Sequence, residues 1–502
     1  MSLPTTLGEL RSAGYVYESV KDELRRNVIA RLRAKEPLFQ GIIGFDDTVI
    51  PQIVNAILAK HDILLLGLRG QAKTRIARQL TTLLDEFIPI VRGSEINDHP
   101  LRPISYQATQ LVAEYGDNTP IEWIKRDSRY GEKLATPDVS VADLIGDIDP
   151  IKAASQRLHY AHEGAIHFGI IPRSNRGIFV INEVPDLQPR IQVALFNILQ
   201  ERDIQIRGFN VRLPMDIVMV FTANPEDYTN RGSIVTPLKD RIQSQILTHY
   251  PRKLEDGMTI TRQESWVERT EMPLLIPEFL RQIVESIAMI ARTSEFVDQT
   301  SGVSARLTIS TMENMISNAE RRAFITGEHA VAPRLCDLGQ ALSGITGKVE
   351  LVFEGEEEGP QKVARALIGK AVREVFRLFM PDPNIRKSRP GAAIDRPDPY
   401  AAIVRWFEQG NVVNVDDRMT NEEFYNTLVA VPTLAQLASS HFNIALTGTV
   451  SLATAMEFIL DALHQHSKLA KDDSETHTVY KDLVGSMFAL PTMLDDEEGL
   501  GA

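Results

Sequence analysis

The run Gly67-Leu-Arg-Gly-Gln-Ala-Lys-Thr74 has residue types and spacing suited to holding phosphates. It follows the apolar stretch Ile63 to Leu66 and precedes a helical pattern. In a strand, tight loop and helix of this kind, loop amides and the helix N-terminus face an anion. Gly67, Arg69, Gly70, Gln71, Ala72, Lys73 and Thr74 are therefore the candidate phosphate-binding residues. Lys73 is placed to reach the β- and γ-phosphates of a nucleotide, and Thr74 to offer its hydroxyl to Mg²⁺. Ala72 stands where a second glycine is expected, and its methyl group narrows the backbone angles available there.

Hydrolysis of a bound triphosphate also needs a polarised water and stabilisation of charge on the transferring phosphoryl group. Glu183, directly after the apolar run Gly177-Ile-Phe-Val-Ile-Asn182, is positioned to orient or deprotonate that water. A glutamate there can equally end a strand or cap a helix. Asn224 follows a further apolar run from Ile217 and can hydrogen-bond the same water or the γ-phosphate, although Asn-Pro also makes turns.

These residues need a scaffold. Residues 1–36 are charged and helically spaced and read as a peripheral arm. Val49, Ile53, Ile57 and Leu58 mark a helix with one apolar face, and Ile76, Leu80, Leu83, Leu84 and Phe87 mark another that ends before Pro89. Residues 90–175 are rich in turns, including Glu114-Tyr-Gly-Asp-Asn and Arg129-Tyr-Gly-Glu-Lys, and predict insertions between sheet strands. Leu187, Ile191, Ala194, Leu195 and Ile198 form a helical stripe, and Asp203 to Leu213 reads as a β-hairpin about Gly208-Phe209-Asn210. Strands alternating with helices imply a parallel sheet covered by helices, whose ligands bind at the carboxyl ends of the strands. Gly67, Asn182, Glu183 and Asn224 all fall at such ends.

Beyond residue 252 helices dominate, as in Phe279 to Ile290, with Glu354-Gly-Glu-Glu-Glu-Gly359 expected as an exposed loop. Residues 381–399 are rich in proline and read as a linker, including the basic cluster Arg386-Lys-Ser-Arg389, and residues 400–502 as a mainly helical unit.

With 502 residues the chain is too long for one core, and 43% hydrophobic with 24% charged residues is a globular composition. No apolar stretch approaches the ~20 residues of a membrane span, and the first residues lack the pattern of a secretory signal. The single cysteine, Cys336, excludes an internal disulfide and a thiolate metal cage, and it fits a reducing, cytoplasmic setting. A net charge of −13 argues against general attraction to nucleic acid or to an anionic membrane.

Taken in order, phosphate loop, strand ending in Glu183, helix, hairpin, strand ending in Asn224 and then Thr236-Pro-Leu-Lys-Asp-Arg241 resemble the AAA+ ATPases, within them the magnesium chelatase ATPase subunit and MoxR group. Gly67 to Thr74 matches Walker A, Ile178 to Glu183 Walker B, and Phe221 to Asn224 sensor 1. Ala135 to Gly146 looks like the chelatase-type insert, and Asp203 to Leu213 like the hairpin before sensor 1. Arg241 matches the arginine finger that reaches a neighbouring subunit's site, and Ala332-Pro-Arg334 resembles sensor 2, with Arg306 as the alternative.

The resemblance covers about residues 40–380. With the N-terminal helical arm (1–36), the linker (381–399) and the C-terminal unit (400–502) outside it, the resemblance implies an AAA+ α/β domain (37–251) and a helical lid (252–380). It further implies ATP and Mg²⁺ as cofactors, a homo-oligomeric ring, hexameric in the family's manner, and a partner carrying a von Willebrand factor A domain. Asn182 occupies the place of the Walker B aspartate that supports Mg²⁺ through its waters, so Thr74 and Asn182 are the candidate metal residues. Loss of that negative charge predicts ATP binding with slow turnover, accelerated by Asn182→Asp. Two other classes compete: a non-catalytic nucleotide-binding scaffold, and a DNA-acting machine, which the acidic charge and the lack of a recognisable helix-turn-helix disfavour.

Overall fold

The computed structural model describes residues 3–155, 162–206, 212–225, 233–269, 272–384, 398–442, 448–474 and 477–483. The chain divides into two compact units, Met1–Tyr250 and Pro251–Ala502.

The first unit is built on five strands, β1 (Ile63–Leu66), β2 (Tyr130–Leu134), β3 (Gly177–Asn182), β4 (Ile217–Ala223) and β5 (Ser244–Leu247). All pair in parallel, in the order β5-β1-β4-β3-β2. The three inner strands are buried along their whole length. Alternate residues feed two cores, as the period of two along a strand requires. Leu64, Phe179, Ile181, Met219 and Phe221 enter one core, and Ile63, Leu65, Ile178, Val180 and Val220 the other. Burial on both faces is why these runs read as continuous apolar stretches.

Several expectations change. The first residues are no peripheral arm: helix α1 (Val20–Ala34) contributes Val20, Leu24 and Val28 to the second of those cores. The helix after the phosphate loop, α2 (Lys73–Gln79), ends sooner than its apolar spacing suggests. Leu80–Leu83 form a 3₁₀ turn, and Phe87–Val91 pair as a strand with Ile121–Lys125, Pro89 included. The supposed turn at Arg129-Tyr-Gly-Glu-Lys is the edge strand β2. In the expected hairpin, Asp203–Gln205 and Arg212–Pro214 pair antiparallel; its tip, with Gly208, Phe209 and Asn210, lies outside the described residues.

In the second unit, helices α3 (Glu278–Ala291), α4 (Arg306–Thr326), α5 (Pro360–Phe379) and α6 (Gly448–Gln465) share one core. That core runs from Phe279 to Tyr480, so the residues expected as a lid and those expected as a separate terminal unit are one body. It also contains a three-stranded antiparallel sheet, Val413–Asp416, His477–Asp482 and Leu469–Asp473. The acidic run expected as a loop is a short helix, Phe353–Glu358. The basic cluster at 386–389 lies outside the described residues. Among the described residues no helix is long and apolar enough to cross a membrane.

Candidate functional site

The carboxyl ends of β1, β4 and β3 carry the phosphate loop, Asn224 and Glu183 side by side. Gly67 leaves β1 with its amide bonded to the Ala223 carbonyl of β4 at 3.2 Å. A β-carbon at Gly67 would lie 2.0 Å from Thr248 Oγ1 and 2.2 Å from Gln71 Oε1, so only glycine fits beneath those side chains. Thr248 donates to Gln71 Oε1 at 2.7 Å, which anchors the loop to the end of β5. Tyr250 adds a hydrogen bond to the Arg69 carbonyl at 2.8 Å. Gly70 (φ 74°) and Ala72 (φ 57°) are both left-handed. The glycine does this freely; the alanine accepts it at a cost of about 1 kcal/mol, so the departure from the expected glycine leaves the loop's shape intact.

Lys73 is 7% exposed, and its ammonium is held by the carbonyls of Gly67 and Leu68 and by Asn224 Oδ1 at 2.6 Å. The cation expected to meet phosphates thus sits in the mouth of the loop, tied to the residue expected to sense them. Thr74 begins the second position of α2, and Arg78, four residues on, lies on the same face of that helix.

Asn182 ends β3 with both ends of its amide engaged. Its Nδ2 donates to Glu132 Oε1 at 2.6 Å, and its Oδ1 accepts from Thr222 Oγ1 at 3.2 Å. Thr222 Oγ1 in turn accepts the Glu183 amide at 3.0 Å. Glu183 is half-buried, with a left-handed backbone at φ 55° directly after the strand. Strain of this kind at a non-glycine residue concentrates at functional sites.

Glu132, which no motif singled out, is the carboxylate nearest Asn182. It lies on β2 and accepts from Arg78 Nε at 2.9 Å, from Tyr130 OH at 2.9 Å and from Asn182. Burial alone would raise its pKa, but the hydrogen bonds from Arg78 and Tyr130 outweigh that and hold it below the usual carboxylate value. The signal was available only through pairing, since Leu134 lies opposite Asn182 in the parallel register.

The two arginine candidates, Arg241 and Arg334, lie in different units. Arg241 donates to Gln200 Oε1 at 3.0 Å and to the Pro237 carbonyl at 2.8 Å, with its guanidinium 4.6 Å from the Phe196 ring centre. It therefore rests against its own domain. Arg334 is fully buried in the second unit, over the Phe424 ring at 4.2 Å and bonded to the Met419 carbonyl at 2.8 Å. Burial draws its pKa down. Its guanidinium is enclosed by the core of the second unit. Arg306, at the start of α4, is exposed.

Among the described residues no group of three or more His, Cys, Asp or Glu is assembled to hold a metal. Mg²⁺ keeps waters and binds through substrate phosphates with one or two protein oxygens. The Thr74 hydroxyl and the acidic end of the β2-β3 pair fit such a role.

A parallel sheet in the order β5-β1-β4-β3-β2, with the Gly67–Thr74 loop after its first strand and a helical region to follow, agrees with the AAA+ P-loop fold that the sequence resemblance implies. Residues 159–246 match the Sigma-54 interaction domain family. The chain is similar to a proposed ATPase of Cytophaga hutchinsonii at 17% identity, covering 72% of this chain and 97% of that one with a TM-score of 0.28. It is similar to the BchI and BchD subunits of magnesium chelatase at 20% identity, covering 64% and 98% with a TM-score of 0.33. A third likeness is to NtrX of Brucella abortus, at 13% identity over 59% of this chain and 54% of that one, with a TM-score of 0.33. No curated protein matches the chain.

Proposed function

We propose that the protein binds and hydrolyses ATP with Mg²⁺, assembles into a ring, and uses the cycle to remodel a partner protein. The observation that carries this reading is the Lys73–Asn224 hydrogen bond at 2.6 Å, which brings the phosphate-loop cation to the end of the adjacent strand. Glu183 leaves the next strand along. In this reading Lys73 and the loop amides hold the β- and γ-phosphates, Thr74 binds the metal, and Glu183 takes the proton of the attacking water. Asn224 holds that water or the γ-phosphate.

Chelatase and MoxR-type resemblance supports the ring and a partner with a von Willebrand factor A domain. A cytoplasmic setting agrees with the lone cysteine, Cys336. For Arg241 to act in a neighbouring subunit it must leave Phe196 and Gln200, so assembly and its release are coupled. Of the sensor 2 candidates, exposed Arg306 replaces Arg334.

The test is nucleotide titration and turnover together. Lys73→Ala abolishes ATP binding, whereas Glu183→Gln keeps binding and lowers turnover by about 100-fold or more. Light scattering with and without ATP reads assembly, and adding Arg241→Ala protein to wild type lowers turnover per active subunit. Unchanged turnover in Glu183→Gln would sink the assignment.

A further inference from the structure

The replacement of the Walker B aspartate by Asn182 leaves the last residue of β3 uncharged, with Glu183 directly after it. One strand over, a carboxylate lies 2.6 Å from the Asn182 amide. We propose that Glu132 supplies from the edge strand the negative charge that Asn182 lacks, with Asn182 fixing where that carboxylate points. The inference rests on the nucleotide-site reading above.

Three observations carry it. Glu132 is directed rather than loose: Arg78, Tyr130 and Asn182 all donate to it. The clamp comes from the helix that carries Thr74, because Arg78 stands one turn beyond Thr74 on α2 and donates to the Glu132 carboxylate. Finally, the Arg78 side chain is 64% exposed and that of Glu132 only 21%. Water screens the arginine's charge more than the carboxylate's, so the pair keeps a net negative field on its buried side. Asn182 is then a positioning residue whose carbonyl is bound by Thr222 and whose amide orients Glu132. With the charge restored from β2, the case for slow turnover drawn from Asn182 lapses.

The test measures binding of a fluorescent ATP analogue against Mg²⁺ concentration, and again in EDTA, with thermal midpoints as a check on folding. Glu132→Gln should raise the Mg²⁺ needed for half-maximal binding by about 10- to 100-fold, as loss of an outer-shell partner does, and leave binding in EDTA unchanged. Asn182→Asp added to Glu132→Gln should reverse the shift, because it returns the charge to the end of β3. Arg78→Ala, which removes the clamp and keeps the carboxylate, should shift the Mg²⁺ dependence far less. An unmoved Mg²⁺ midpoint in Glu132→Gln, a shift that Asn182→Asp does not reverse, or an equal shift in Arg78→Ala would each overturn the proposal. If Lys73→Ala binds the analogue like wild type, the nucleotide-site reading itself is what fails.

Discussion

Lys73 Nζ and Asn224 Oδ1 are 2.6 Å apart, so the loop after β1 and the end of β4 form one polar unit. Charge at position 224 must therefore act directly on the lysine. Asn224→Asp converts a neutral acceptor into an anion that holds Lys73 more tightly and repels a γ-phosphate. We expect ATP affinity to fall by about tenfold, or about 1.4 kcal/mol, read by calorimetric titration. An affinity equal to wild type would separate Asn224 from the phosphates.

Gly67 is the tightest point of the loop. Gly67→Ala must displace Thr248 Oγ1 and Gln71 Oε1, which would lie 2.0 and 2.2 Å from the new methyl group. Breaking their hydrogen bond costs about 1 kcal/mol, so the domain should still fold while the loop loses its anchor to β5. The expected result is a large loss of nucleotide affinity with a small change in thermal midpoint.

The two arginines of the second unit should separate cleanly. Arg334→Ala empties a fully buried site over Phe424 and leaves the Met419 carbonyl without its donor. We expect destabilisation of about 3 kcal/mol, measured by denaturant unfolding. Arg306→Ala, at an exposed helix start, should stay within about 0.5 kcal/mol of wild type and lower ATP turnover. The opposite pattern would restore Arg334 as the functional residue.

Glu457 gives the second unit a pH dependence. It is fully buried and accepts the amides of Leu335 at 2.7 Å and Cys336 at 3.2 Å. Burial pushes its pKa up to about 7; those amides, Lys471 and Arg334 oppose the rise, and Asp337 adds to it. Because the folded value lies above the unfolded one, the stabilising contribution is complete below about pH 4.5 and is lost as pH rises through about 7. Glu457→Gln keeps an acceptor and removes the titration. Its thermal midpoint should exceed wild type at pH 8 and match it near pH 5.

What could be read from the sequence follows from burial. β1, β3 and β4 are covered on both faces, so each is a continuous apolar run, and the residues at their ends were legible with them. β2 was not: Tyr130-Gly-Glu-Lys-Leu134 is a half-exposed edge strand with mixed side chains, defined by its pairing with β3. Glu132 was hidden with it. Phe87–Val91 was misread because its apolar residues continue the helical spacing across the 3₁₀ turn at Leu80–Leu83. The enclosure of Arg334 was not legible, because Ala332-Pro-Arg334 has no local feature that distinguishes a surface arginine from an enclosed one. Burial there depends on Met419 and Phe424, some ninety residues away.

The buried pair between α1 and the residue before β2 has a wider consequence. Arg129 donates to Glu23 Oε1 at 2.7 Å and to Oε2 at 2.6 Å, in a site where the two side chains are 1% and 6% exposed. Removing α1 would strand a guanidinium in the domain interior immediately ahead of the strand that carries Glu132. The opening helix is thus tied to the residue that leads into the edge strand by a buried ion pair, alongside the core that its Val20, Leu24 and Val28 share with Tyr130 of β2.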